Sequence, residues 1–128
     1  MADQAVVAGR EGGGDAGAVS RAWTFEGARA VLPDVRARTE RAAEAAERLV
    51  AARENAKSAQ QQARIDREIQ AVIERWAREM EALGAEVKGV WLVDFDTGSG
   101  YYCWRWPEET LEHFHGYDDG FAGRMRIQ

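Results

Sequence analysis

Val90 to His115 reads VWLVDF (90–95), DTGSG (96–100), YYCWRW (101–106) and PEETLEHFH (107–115), and it holds three of the five tryptophans, the only cysteine and both histidines. Residues 90–95 are rich in β-branched and aromatic side chains (Val90, Trp91, Val93 and Phe95), and 96–100 is a turn of hairpin length, so the stretch predicts two antiparallel strands. Side chains alternate across a strand. On the return strand Tyr102, Trp104 and Trp106 therefore share one face, and Tyr101, Cys103 and Arg105 share the other. The tryptophan face is expected to be a packing surface against helices that carry Trp76 and Met80, although such a face can also stack on a planar ligand. Pro107 lacks an N–H and ends the strand or marks an edge. Leu111 to His115 is a candidate third strand, and Gly116 to Arg124, with three glycines, reads as loop.

Working outward, the hydrophobic period before Gly84 is helical. Ile65, Ile69, Val72, Ile73, Trp76, Met80 and Leu83 recur at three- and four-residue steps, and Gly84 can take the left-handed conformation that closes a helix. Ser58 and Gln61 have capping-box spacing, which puts a turn at Asn55–Lys57. Upstream, Thr24 suits an N-cap. A short helix from Phe25 to Leu32 is expected, with Pro33 in the first turn of a new helix that continues to about Glu54. Its stripe of Val31, Leu32, Val35, Ala42, Ala46, Leu49 and Val50 is largely alanine at its centre, so Ile69 and Val72 can pack closely against Ala42–Ala46 if the chain folds back. The alternative is one unbroken helix from Asp34 to Leu83, spanning ~75 Å and needing a partner chain. Residues 1–20, rich in Gly and Ala, have no sustained hydrophobic period and are expected to be a disordered tail. The predicted fold is α+β: an antiparallel hairpin of two long helices packed with a two- or three-stranded antiparallel sheet, in a single domain over residues 21–128.

At 128 residues the chain suffices for one modest core. A formal net charge of -5 argues against a general binder of nucleic acid or of anionic membranes. Of the 17 Lys and Arg residues only Lys57 and Lys88 are lysine, a skew expected of a GC-rich bacterial genome. A lone cysteine and the lack of a secretory signal fit a reducing cytosol, and no run approaches the ~20 apolar residues of a membrane span.

The blocks TFEGARAVLPDV, LVDF, CWRWPEE and FHGYDDGFAGR, in this order, resemble the bacterial domain-of-unknown-function family 2203. The resemblance runs from about Trp23 to Arg124 and is most specific at the C-terminal end. Its pattern of GLVDF, LCWxxGE, a WH pair and GFAGR falls on Asp94, Cys103, Trp104, Glu108, His115, Gly120, Phe121 and Arg124. The chain departs from it at Trp91 and Pro107, where the pattern has Gly, at Phe114, where it has Trp, and at His113, where an aromatic is usual. The resemblance implies a small cytosolic bacterial protein and no particular activity.

Asp94, Cys103, Glu108 and His115 lie on or beside the hairpin, where they can converge. Carboxylate, thiolate and imidazole are transition-metal ligands, with iron and zinc the expected ions. His113 and His115, two apart on a strand, share a face. The expected metal ligands are thus His115, Glu108 and His113. Asp94 is a further ligand or orients an imidazole, and Cys103 is a soft ligand, a redox-sensitive thiol or a nucleophile served by His115. Arg124 either meets a small anionic substrate or braces Asp94 or Glu108. The bland reading leaves all of these as structural residues: Asp94 tying the turn, Cys103 filling core, Glu108 on an arginine. A rival class is a non-catalytic interaction module, since helical hairpins with spare apolar surface pair into four-helix bundles; a homodimer through the helices is expected on the same ground.

Overall fold

Thr24 opens the first helix by accepting the Gly27 N–H on its hydroxyl at 2.9 Å. The structure, a computed structural model, describes residues 22–127; the segment 1–20 expected to be a disordered tail lies outside the described residues. Helix α1 spans Phe25–Glu54 and helix α2 spans Ala59–Ala82. Five strands follow: β1 Glu86–Gly89, β2 Leu92–Asp96, β3 Tyr101–Arg105, β4 His113–His115 and β5 Met125–Arg126. They pair in that order, all antiparallel, as a meander.

The expected break at Pro33 is corrected: α1 runs straight through it. Proline inside a helix costs about 3 kcal/mol through a lost hydrogen bond and a steric clash. Leu32 and Val35 on either side are buried in the core, and each buried aliphatic side chain contributes about 1.5–3 kcal/mol. Tertiary burial therefore carries the helix past the proline.

The two helices form a hairpin, not one long rod. Gln61 N–H donates to Ser58 Oγ at 3.0 Å, and the Gln61 amide oxygen accepts from Lys57 N–H at 2.9 Å, so the capping box starts α2. Antiparallel register is read from three cross-helix pairs: Arg53 on Asp66 (2.6 and 3.2 Å), Trp76 Nε1 on Thr39 Oγ1 (2.8 Å), and Arg38 on Glu79 (3.4 Å). Gly84, at φ +94°, ends α2 as expected, and its carbonyl accepts the Trp23 indole N–H at 3.1 Å.

The sheet has five strands where two or three were expected. The hairpin of Val90–Phe95 with Gly100–Trp106 is present, with Val93 opposite Trp104 and Asp94 opposite Cys103. The additions are β1, which is polar except for Val87, and β5, only two residues long; neither is long enough to show a hydrophobic period. The core lies between the helices and one sheet face: Ala28, Leu32, Val35, Trp76, Met80, Ala85, Val93, Phe95, Trp104 and Leu111, with Tyr102 and Trp106 packed against it. The tryptophan face is thus the packing surface. Arg36 of α1 reaches over Trp106 (5.2 Å) and donates to the Glu108 carbonyl at 3.1 Å, which ties the 105–108 turn to the helix.

The helices and sheet do not meet along their whole length. Thr39 and Trp76 are the last buried positions towards the far end, and no residue from 40 to 75 is fully buried. Ala42, Ala46, Leu49, Ile65, Ile69, Val72 and Ile73 are all half-buried there.

Candidate metal centre

The face of the sheet turned away from the helices carries the polar residues. Register places Asp94 of β2 beside Cys103 of β3 and Cys103 beside His113 of β4, with Asp96, Tyr101 and His115 forming the next row. Gly100 makes this approach feasible: a Cβ there would lie 2.9 Å from the His115 carbonyl oxygen and 2.5 Å from the Phe114 ring. Any side chain at position 100 would push β4, and His115 with it, away from Asp94.

Asp94, Cys103 and His115 converge. One ligand atom from each lies within 4.8 Å of the others, and the three residues are 1%, 0% and 2% exposed. Ligand atoms around one tetrahedral zinc, at 2.0–2.3 Å bonds, are about 3.3–3.8 Å apart, so the group needs to close by about an ångström. Of the expected ligands His115, Glu108 and His113, only His115 belongs to this group; Glu108 and His113 stand outside it. Local pairing holds Glu108. Glu108 Oε1 accepts from the Arg105 N–H at 2.9 Å and from Arg124 Nη1 at 3.1 Å, and the same nitrogen forms an ion pair with Oε2 at 2.8 Å. His113 Nδ1 lies 3.9 Å from Glu108 Oε2, beyond hydrogen-bond reach, and is buried without a partner. Arg124, its ring-stacking partner Phe121 at 4.1 Å, thus braces Glu108, the second of the two roles expected for it.

The hydrogen bonds of His115 constrain its chemistry. Its Nδ1 is 2.8 Å from the Gly116 carbonyl oxygen and its Nε2 is 3.0 Å from Asp94 Oδ2. A carbonyl only accepts, so Nδ1 carries the proton. Nε2 in a neutral ring then presents a lone pair to a carboxylate oxygen. Two acceptors 3.0 Å apart need a proton between them, on Nε2 or on the carboxyl, or a metal ion that both would ligate. The last arrangement is the common one for metal-binding histidines, whose other ring N–H is fixed by a carbonyl. Asp94 Oδ1 adds to the case, being buried with no hydrogen-bond partner, a state that ordinarily costs about 1–3 kcal/mol, and more when charged.

Cys103 is a poor nucleophile in this setting. Burial, then the neighbouring Asp94 carboxylate, pushes its thiol up to about 12, while Arg124 acts in the opposite sense. A thiolate here needs a cation beside it, which is the condition of a metal ligand.

Of two further members of the site, Lys88 had no signal in the sequence and Tyr101 only its place on the Cys103 face. Lys88 Nζ donates to Asp94 Oδ2 at 3.2 Å and sits 3.7 Å from the centre of the Tyr101 ring. Burial of the lysine opposes its charge, but Asp94 and Tyr101 together outweigh it and hold the ammonium above its usual range. Tyr101 also packs on His115 (5.4 Å) and Tyr117 (5.1 Å), and Tyr117 donates to Asp96 Oδ1 at 2.7 Å. Gly116–Arg124 is thereby tethered to this face near both ends.

Fold and site define a small α+β protein: a helical hairpin backed by a five-stranded meander, with a buried carboxylate, thiol and imidazole on the outer face. The chain belongs to the family described as uncharacterized conserved protein (DUF2203), which matches residues 21–127. No curated protein and no solved structure matches it. The departure from the pattern at Trp91 has a structural counterpart. Trp91 takes φ +63°, the left-handed region that favours the glycine of the pattern. Its ring meets Trp76 edge-on at 4.9 Å, and aromatic contact of that kind, worth ~0.5–1.5 kcal/mol beyond area burial, offsets much of the ~1–2 kcal/mol of backbone strain.

Proposed function

We propose that this is a metal-binding protein of bacterial cytosol, holding one transition-metal ion on Asp94, Cys103 and His115. The observation that carries the reading is the His115 ring, bracketed by two acceptors beside a buried, unpartnered carboxylate oxygen. The donor set suits zinc or iron: thiolate and imidazole favour borderline ions, and carboxylate admits iron. Three protein ligands leave a position for water or substrate, the arrangement of catalytic rather than structural zinc, so a metal-dependent reaction is the use we assign to the site. A zinc ion there would supply an activated water, its pKa lowered to about 7, while Gly116 orients His115 and Arg124 holds Glu108 at the site's margin. A cytosolic setting is consistent with the free Cys103; no helix among the described residues is long and apolar enough to cross a membrane.

Cobalt(II) reports on this reading directly. Titration of anaerobic, metal-free protein is expected to produce a thiolate-to-cobalt absorption band in the near ultraviolet that saturates at one ion per chain. Cys103→Ser is expected to lose the band. A titration without it would remove Cys103 from the centre.

A second reading concerns assembly and can hold together with the first. From 40 to 75 the apolar stripes of both helices continue beyond the sheet with no fully buried residue. This uncovered half of α1, residues 40–54, is ~22 Å long at 1.5 Å per residue. We propose that a second copy of the chain covers it as a four-helix bundle. Light scattering at micromolar concentration is expected to give twice the 14.3 kDa chain mass, falling to the single mass for Ile69→Glu; a wild-type single mass would dismiss the dimer.

A further inference from the structure

We infer that Lys88 is a tethered competitor for the cation at Asp94, and so sets how tightly the centre holds its metal. The inference rests on the metal reading above. Asp94 Oδ2 receives Lys88 Nζ at 3.2 Å and faces His115 Nε2 at 3.0 Å, so the ammonium already occupies one side of the carboxylate that a metal needs. A divalent ion and an ammonium on one buried carboxylate repel each other in surroundings that screen poorly. One of the two has to give way.

The structure makes Lys88 the one that can move. The Asp94 side chain is 2% exposed and fixed in the centre of the sheet, whereas that of Lys88 is 35% exposed, on the edge strand β1. The Glu86 carboxylate, on the same strand, is 3.6 Å from Nζ. Lys88 can therefore leave Asp94 for Glu86 and solvent without becoming a buried, unpaired charge. Its departure exposes to the metal an oxygen that the ammonium otherwise satisfies. In the metal-free state the lysine does the reverse: it neutralises a carboxylate that burial would penalise heavily if left alone. One side chain thus stabilises the empty site and weakens the filled one.

The test is zinc affinity, measured by competition with a chromophoric chelator, for wild type, Lys88→Met and Lys88→Arg. Methionine keeps an unbranched stem over Tyr101 and removes the charge; arginine keeps the charge. Lys88→Met is expected to bind zinc roughly ten- to hundredfold more tightly than wild type, and Lys88→Arg close to wild type. A merely structural lysine would not produce that split. Equal affinity in all three proteins, or weaker binding by a folded Lys88→Met, overturns the inference and leaves the metal reading standing. Absence of zinc binding in all three, with helices intact by circular dichroism, overturns the metal reading itself: a proton then joins His115 to Asp94.

Discussion

Trp76→Ala is expected to lower the unfolding free energy by about 3–5 kcal/mol, the range for removing a large aromatic side chain from a packed core. Trp76 is 1% exposed. Its ring joins three parts of the chain: it belongs to α2, its Nε1 donates to Thr39 of α1 at 2.8 Å, and it meets Trp91, between β1 and β2, at 4.9 Å. The hydrogen bond is the smaller loss. The Thr39 hydroxyl still donates to the Val35 carbonyl at 2.7 Å, so alanine leaves no orphaned donor, and the cost is chiefly the cavity. Against a total stability of roughly 5–15 kcal/mol for a domain, this single change removes a large fraction. Urea unfolding followed by circular dichroism measures it; a loss below about 1 kcal/mol, in the range of surface substitutions, contradicts the placement of Trp76.

Trp76 was readable because it sits in a long, strongly periodic stripe that runs from Ile65 to Leu83, and the change of period at Gly84 was readable for the same reason. The hairpin turn at Asp96–Gly100 carried its own chemistry: Asp96 Oδ1 accepts from Gly98 N–H at 2.9 Å, and Thr97 N–H donates to the Gly100 carbonyl at 2.8 Å. Pro33 misled because local propensity argues for a break and only distant burial argues against one. Strands β1 and β5 were missed because four residues with Val87 as the one apolar side chain, and two residues, hold no period; they exist through pairing with neighbours already in place.

The site was legible in part. Alternation placed Cys103 on the face opposite the tryptophans, and Asp94 and His115 were recognised as candidates. Two features keep Glu108 apart from Asp94, Cys103 and His115: the register of β4 on β3, reached through residues 106–112, and the pairing of Glu108 with Arg105 and Arg124. Neither follows from residue types and spacing. Lys88 was invisible because its strand was.

His115→Ala is expected to reduce zinc affinity by at least about a hundredfold, more than the 10–100-fold typical of losing a group that only orients a ligand. The substitution removes the sole imidazole of the three-residue group. Asp94 keeps Lys88 as a partner at 3.2 Å, so its charge is not abandoned and the variant should still fold. His113 stands outside that group.

Elemental analysis of protein purified without a histidine tag, wild type beside His115→Ala, tests the metal centre most directly. Close to one zinc or iron per wild-type chain is expected, and little or none in a variant whose helices are intact by circular dichroism. Substoichiometric metal in the wild type, or equal metal in the well-folded variant, would contradict it.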